Sequence, residues 1–230
     1  MKKLLLLILL IIPLALQAKT LYQVELIVFR PINLPANGDE TWPANPPQPD
    51  TSRALELKPV DTSGGAVQTF QLLSTAQTFL RAQTDALSFS RNYRMIMHLA
   101  WQQPIGKGVP IHIFGGEAYD VDGNVISYPS VLPPQKAGSQ PTDIMTAQVI
   151  PTAWEINGTI TLQKSGTASK VDTNLMLTLP SLNLPSNLQS SDDQNQFSRF
   201  LLQQTIIVKN AQVTYIDHPF FGVLILIKKI

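Results

Sequence analysis

The feature that most constrains this fold is an alternation of apolar and polar residues with a period of two, which recurs in several separate segments. Residues 19–30 (KTLYQVELIVFR) show it first, with Tyr22, Val24, Leu26 and Val28 on one face. A period of two is typical of β-strands, and both faces become apolar toward the end of this segment. The pattern therefore predicts a central strand that is covered on both sides.

Two more alternating segments flank the short sequence IGKG. In residues 92–104 (NYRMIMHLAWQQP) the alternation places Tyr93, Met95, Met97, Leu99 and Trp101 on one face and Arg94, Ile96, His98, Ala100 and Gln102 on the other. Residues 109–120 (VPIHIFGGEAYD) return with apolar residues at every second position. Two strands joined by a short glycine-containing turn predict a β-hairpin.

The C-terminal third contains the clearest hairpin pattern. Residues 153–180 are two alternating strands joined by KSGTAS, a turn sequence. Residues 197–230 predict one or two strands, a turn at 217–222 and a final aliphatic strand.

One segment has a helical rather than a strand pattern. Ser74 is a favourable N-cap, and Ala76, Phe79, Leu80 and Leu87 follow at helical spacing, which predicts a helix over residues 74–87. Residues 31–70 contain many prolines and predict a long surface loop, with a short extended piece at 54–57. The expected fold class is α+β: one mainly antiparallel, curved sheet with one main helix packed on it and long proline-rich loops.

The N-terminus predicts export. Lys2 and Lys3 precede a short apolar run and a small residue at Ala18, the order found in secretory signal peptides. The run is too short to cross a bilayer, so we expect a cleaved signal over residues 1–18 and a single periplasmic domain over 19–230 without a permanent membrane anchor. The chain has no cysteine, which excludes a lipid-anchored cysteine and disulfides.

The charge of the mature chain argues against nucleic acid as a partner. Loss of Lys2 and Lys3 leaves 15 basic and 16 acidic residues, and phosphate backbones are bound by strongly basic surfaces.

The sequence contains no recognisable catalytic or metal-binding motif. His98, His112 and His218 lack the paired spacing of a zinc site, and residues 120–124 (DVDGN) lack the later ligands of a calcium loop, so they predict an Asp-Gly turn. There is no cysteine and no G-x-S-x-G elbow for nucleophilic catalysis. We therefore expect a non-enzymatic protein without cofactor or metal.

The remaining candidate is a binding surface on residues 92–104. Arg94, His98 and Gln102 share a predicted polar face and offer donors that suit a carboxylate or a sugar hydroxyl. Trp101 could stack on a sugar ring, although its phase favours core packing.

The sequence near the C-terminus, TYIDHPFFG, combines a possible acid/base pair with turn residues. Pro219 removes a backbone donor and Gly222 frees the backbone to turn, so Asp217 and His218 are interpreted as a corner of the fold. An aspartate at such a corner can accept hydrogen bonds from the amides just ahead of it. On this interpretation Asp217→Ala lowers stability more than it lowers ligand binding.

Three stretches, YQVELIVFR, YRMIMHLAWQQP and YIDHPFFGVLILI, resemble the CsiV family of gammaproteobacteria, described as peptidoglycan-binding proteins tied to cell-shape integrity. The resemblance extends along the mature chain, and its most specific part is the terminal motif of Tyr215, Asp217, His218, Pro219, Phe221 and Gly222. One departure concerns the strand before this motif, where similar proteins carry several arginines and this chain has TIIVKNAQV with only Lys209.

The resemblance implies a non-catalytic periplasmic protein that binds peptidoglycan and works with an outer-membrane lipoprotein activator of a penicillin-binding synthase. An alternative is a protein–protein adaptor that docks through a sheet edge or the proline loop without binding glycan. A cell-wall hydrolase is disfavoured by the missing motifs.

Overall fold

The computed structural model of the chain describes most of the protein outside its N-terminus and several connections. The described residues are 20–34, 43, 46–61, 63–64, 66–106, 108–127, 151–189 and 196–230. The signal peptide predicted for residues 1–18 and parts of the predicted loop over 31–70 lie outside these ranges.

The described residues form nine strands and one α-helix. The strands are β1 (Leu21–Pro31), β2 (Tyr93–Pro104), β3 (Pro110–Tyr119), β4 (Val125–Ile126), β5 (Ala153–Ser165), β6 (Ala168–Pro180), β7 (Phe197–Val208), β8 (Thr214–His218) and β9 (Phe221–Lys229). The helix, α1, comprises Arg81–Ser88. Short 3₁₀ turns lie at Thr75–Gln77, Ser181–Asn183 and Ser186–Leu188.

The strands belong to two antiparallel sheets rather than the single sheet expected from the sequence. Sheet I has the order β2-β1-β9-β8 and sheet II has the order β4-β3-β5-β6-β7. The predicted hairpin of β2 and β3 is wrong, because β2 pairs with β1 in sheet I and β3 pairs with β5 in sheet II. Alternation predicts that a strand has an apolar face, but it does not indicate whether a second such strand lies beside it in the same sheet or opposite it across the core.

The main core lies between the two sheets. Leu26, Trp101 and Ile225 of sheet I and Ile113 and Ile160 of sheet II are fully buried in one hydrophobic cluster. Two antiparallel sheets that pack face to face bury their inner faces in this way. The connection from β2 to β3 therefore passes from one sheet to the other.

Other strand predictions are confirmed. Strand β1 is central, between β2 and β9, and β9 lies between β1 and β8 with most of its residues buried. Strands β5 and β6 form the predicted hairpin, from Ile156↔Leu177 to Ser165↔Ala168. Leu55, in the predicted extended piece at 54–57, forms a parallel bridge with Ile111 of β3.

The helix is shorter than predicted, because the segment 74–80 is not α-helical. Ser74, with φ −69° and ψ 158°, precedes the 3₁₀ turn Thr75–Gln77, and Thr78 after it is extended, with φ −86° and ψ 150°. The N-terminus of α1 is held by a residue of another element: the carboxylate of Glu25 on β1 accepts the amides of Phe79 (2.7 Å) and Leu80 (2.8 Å). A carboxylate at this position satisfies amides that the helix leaves unpaired.

Helix α1 covers the outer face of sheet I. Ile27, Phe29, Leu80 and Leu226 form a second, smaller hydrophobic cluster there, and Leu87 packs against it. The arrangement of helix, sheet I and sheet II explains why β1 and β9 are apolar on both faces. Within the described ranges, no helix has the length and apolar character needed to span a membrane.

Candidate functional site

A β-bulge between β1 and β2 separates the polar residues that the sequence placed on one face. Val28 pairs with Met97 but Phe29 pairs with Met95, so Ile96 is the extra residue and the alternation changes phase there. As a result Arg94 points toward sheet II, whereas His98 points toward α1. The prediction that Arg94 and His98 share a face is therefore wrong.

His98 belongs to the packing of α1. Its Nε2 lies 2.8 Å from Oε1 of Glu25, and its Nδ1 lies 3.0 Å from Oγ1 of Thr84 on the helix. Burial of Glu25 opposes its ionisation, but hydrogen bonds from His98 and from the Leu80 and Phe79 amides outweigh burial, so the pKa of Glu25 is lowered. His98 and Glu25 together position the helix on the sheet.

Trp101 and Gln102 do not form the exposed binding surface that the sequence suggested. Trp101 is fully buried between the sheets and donates its Nε1 hydrogen to Oε1 of Gln103 at 2.7 Å. A ring without exposed surface cannot stack on a ligand, so the core-packing interpretation of Trp101 holds. Gln102 is half-buried, and its backbone carbonyl accepts a hydrogen bond from the backbone amide of Phe70 at 2.7 Å.

Arg94 takes part in a charged cluster that links the two sheets at one end of the molecule. Arg94 and Arg30 are direct partners across β2 and β1. Both donate to Oε1 of Glu155 on β5, Arg30 through Nε at 2.9 Å and Arg94 through Nη2. Glu155 is fully buried, and its second oxygen accepts the amide of Glu117 at 3.1 Å. A buried carboxylate is tolerated when it is paired and hydrogen-bonded in this way.

Glu117 and Tyr119 complete this cluster on its open side. Arg94 Nη1 lies 3.4 Å from Glu117 Oε1, and the hydroxyl of Tyr119 donates to Glu117 Oε2 at 2.9 Å. The side chains of Arg94 and Glu117 are 34% and 38% exposed, so both reach solvent. Burial and the charge of Glu155 raise the pKa of Tyr119, which therefore keeps its proton.

A backbone irregularity in β3 brings Glu117 to Glu155. The register of β3 on β5 shifts between Gly115 and Ala118, and Gly116 has a φ of +80°. A Cβ on Gly116 would lie 2.6 Å from Oε2 of Glu155, so a side chain does not fit there. Glycine at this position permits both the backbone conformation and the close approach of the carboxylate.

One donor of the cluster is unused within the described part of the chain: the buried Nε of Arg94 has no hydrogen-bond partner there. Burial acts to lower the pKa of Arg94, but the charges of Glu155 and Glu117 raise it, so the guanidinium stays charged. A buried donor without a partner is costly in a folded protein. The Nε of Arg94 therefore marks a position at which an oxygen of a ligand or of water can accept a hydrogen bond.

A cleft of about 330 Å³ opens beside this cluster. Arg30, Glu117 and Tyr119 line its polar side, and Leu34, Leu179 and Leu184 are among the residues of its apolar side. Such a cleft can accept an apolar group together with a carboxylate at Arg30 or an ammonium at Glu117.

Arg94 is the one residue of this cluster that the sequence pattern predicts as a binding residue. Two signals in the sequence were available: Glu155 interrupts the apolar strand AWEINGTI, and Arg30 ends the apolar strand β1. A charged residue in a strand that is buried on both faces indicates a partner elsewhere in the fold.

The terminal motif forms the β8–β9 hairpin, with Pro219 and Phe220 at the turn and His218 paired with Phe221. The amide of Phe220 donates to Nδ1 of His218 at 3.3 Å, so His218 takes the corner role that the sequence suggested for Asp217. Burial lowers the pKa of His218 to about 4. Asp217 is exposed and accepts the hydroxyl of Tyr215 at 2.6 Å.

The remaining polar groups singled out in the sequence have local partners. His112 on β3 contacts Glu56 through Nδ1 and lies 2.8 Å from Asn157 Oδ1 through Nε2. The amides of Asp122 (2.9 Å) and Asn124 (2.8 Å) donate to Oδ1 of Asp120, which confirms the predicted Asp-Gly turn.

The structure places the chain among antiparallel two-sheet proteins and gives it a charged recess at one end. A family model described as "Peptidoglycan-binding protein, CsiV" matches residues 1–230, and the chain belongs to this family. No curated protein and no solved structure matches the chain significantly.

Proposed function

We propose that this protein is a non-catalytic, periplasmic peptidoglycan-binding protein. The observation that carries the proposal is the family match over the whole chain, since the family is described as peptidoglycan-binding. A signal peptide over residues 1–18 followed by one periplasmic domain is consistent with this role and is part of the proposal.

The cleft lined by Arg30 and Glu117 is the proposed contact with the peptide part of the polymer. Stem peptides of peptidoglycan end in carboxylates and can carry an ammonium group. The cluster offers both complementary charges, with Arg94 and Glu117 partly exposed side by side. Its apolar wall can cover a short aliphatic side chain.

The test is co-sedimentation of the purified mature protein, residues 19–230, with isolated cell-wall sacculi at low salt. We expect the protein in the pellet, and a protein that stays in the supernatant would contradict the proposal. Arg30→Gln, at an arginine that lines the cleft, should lower the pelleted fraction. Arg53→Gln is the matched control, because it removes the same charge from a side chain that is 90% exposed and bonded only at 4.0 Å to Asp50. Equal sedimentation of both variants and the parent would leave wall binding in place and rule out the cleft.

The proposed role in the cell is support of wall assembly and cell shape, together with an outer-membrane lipoprotein activator of a penicillin-binding synthase. Strand β7 is a candidate docking edge for this partner. It is the last strand of sheet II in the described part of the chain, and Gln203, Gln204, Thr205 and Ile207 are exposed at its far end. An edge strand of this kind can pair with an extended segment of another protein.

This edge also supports the alternative function, a protein–protein adaptor that binds no glycan. Affinity capture from periplasmic extract separates the two. Stoichiometric recovery of one protein in the absence of sacculus binding favours the adaptor, whereas sacculus binding favours the leading proposal. Release of muropeptides from sacculi would instead indicate a wall hydrolase.

A further inference from the structure

Three aromatic rings lie in a row on the outer face of sheet I, beyond the end of α1. The ring of Phe29 on β1 lies 5.6 Å from that of Tyr93 on β2, edge to face, and 6.0 Å from that of Tyr215 on β8, nearly parallel at 21°. Phe29 is buried, but Tyr93 and Tyr215 are 43% and 51% exposed. Exposed rings that are fixed by a buried third ring form a rigid apolar surface with little entropy left to lose on binding.

The row depends on Gly222 of the terminal motif. In sheet I, Gly222 lies directly between Phe29 and Asp217. A Cβ at this position would lie 2.6 Å from Cε2 of Tyr215 and 2.7 Å from Cζ of Phe29, so any side chain would separate the two rings. Glycine here permits the rings to meet above the sheet. The turning role expected for Gly222 from the sequence is wrong, because Gly222 lies within β9 and the turn is at Pro219 and Phe220.

Asp217 adds a carboxylate to the same surface. It accepts the hydroxyl of Tyr215 at 2.6 Å, which orients the ring and leaves carboxylate lone pairs for other donors. Burial and the bond to Asp217 raise the pKa of Tyr215, so the phenol keeps its proton and remains a donor to Asp217. We call Phe29, Tyr93, Tyr215 and Asp217 the tyrosine platform.

We propose that the tyrosine platform binds the glycan strand of peptidoglycan, an inference that rests on the proposed function. A pyranose ring has an apolar face of C–H groups that packs on an aromatic ring, and its hydroxyl and acetamido groups donate to a carboxylate. The platform lies on an open sheet face, which suits a polymer that extends across it.

The platform and the charged cleft lie at the same end of sheet I. Tyr93 and Arg94 are consecutive residues of β2, and their side chains point to opposite faces, Tyr93 toward Phe29 and Arg94 toward Glu155. A glycan strand on the platform would therefore lie close to the edge around which an attached peptide reaches the cleft. The two sites bind chemically different parts of one polymer.

The experiment titrates the mature protein with glycan strands from which the stem peptides have been removed by an amidase, and calorimetry measures the dissociation constant. We expect binding by the parent protein and a loss of about tenfold in affinity for Tyr93→Leu, which keeps apolar volume but removes the ring. Asp217→Asn should weaken binding as well. Phe114→Ala is the control. The exposed fraction of Phe114, 40%, is close to that of Tyr93, but Phe114 lies on β3 of sheet II, away from the platform.

Four results would contradict glycan binding by the tyrosine platform, and they separate its failure from that of the proposed function. Unchanged affinity in both Tyr93→Leu and Asp217→Asn, or an equal loss in Phe114→Ala, overturns the inference. If sacculi bind the protein but peptide-free strands do not, the platform is not a glycan site while the proposed function stands. If neither sacculi nor strands bind, both the platform and the proposed function fail.

Discussion

Replacement of Glu155 by glutamine tests whether the charged cluster holds the two sheets together. Glu155 is fully buried on β5 and accepts from Arg30 and Arg94 of sheet I, and from the amide of Glu117. Glutamine has the same shape, but it removes the negative charge and turns one acceptor into a donor. The two guanidinium groups then lose their only buried counter-charge in the described cluster.

The magnitude follows from the cost of leaving a buried charge unpaired. Removing one partner of a buried ion pair destabilises a protein by about 3–5 kcal/mol. For a chain of this size each kcal/mol shifts the melting temperature by about 2–4 °C, so the melting temperature should fall by at least about 6 °C. Urea unfolding of the mature protein at neutral pH, followed by circular dichroism, measures the free energy of unfolding directly.

The matched control is Glu117→Gln, which removes a carboxylate from the same cluster at a partly exposed position. Its pair with Arg94 is longer, at 3.4 Å, and solvent screens it, so we expect a loss below about 1 kcal/mol. A free energy of unfolding for Glu155→Gln within about 1 kcal/mol of the parent, on the scale of a surface pair, would show that the buried carboxylate does not hold the sheets together. So would an equal loss in both variants.

Three further predictions concern stability. Glu25→Gln should cost about 2–3 kcal/mol, because the carboxylate bonds the Phe79 and Leu80 amides and His98, and hydrogen exchange at these two amides should accelerate. The pKa of His218 is about 4 when folded and about 6.5 when unfolded, so its stabilising effect is complete above pH 6.5 and is lost as the pH falls toward 4. Between pH 6.5 and 5 the parent should lose up to about 2 kcal/mol more than His218→Gln in urea unfolding, and an equal loss would contradict this. Gly222→Ala should cost about 1–3 kcal/mol through the contacts with Tyr215 and Phe29, whereas Gly106→Ala, with open space at its Cβ, should change the melting temperature little.

The secondary structure could be predicted well because it depends on local periodicity. The alternation in β1, the β5–β6 hairpin and the final strand each describe one segment, and each is confirmed. The pairing of β2 and β3 could not be predicted in the same way. Both strands bury residues in one core, Trp101 and Ile111, but they do so from opposite sheets.

The candidate site was less accessible to sequence reasoning. The bulge at Ile96 reverses the alternation of β2, and nothing in YRMIMHLAWQQP marks it, so Arg94 and His98 were assigned to one face. Arg30 and Glu155 are 125 positions apart along the chain, with Glu117 between them, and only the packing of sheet I on sheet II brings the three together.

The strands, the turn at residues 120–124 and the family of the chain follow from the amino-acid sequence alone, because each depends on the identity and spacing of neighbouring residues. The tertiary structure decided which strands pair, where α1 begins and which polar groups meet. Glu25 starts the helix, Glu155 joins two arginines and Gly222 admits two aromatic rings. The physical reason is that a buried charge or a missing side chain acts on whatever lies opposite it in space, and local spacing carries no information about that partner.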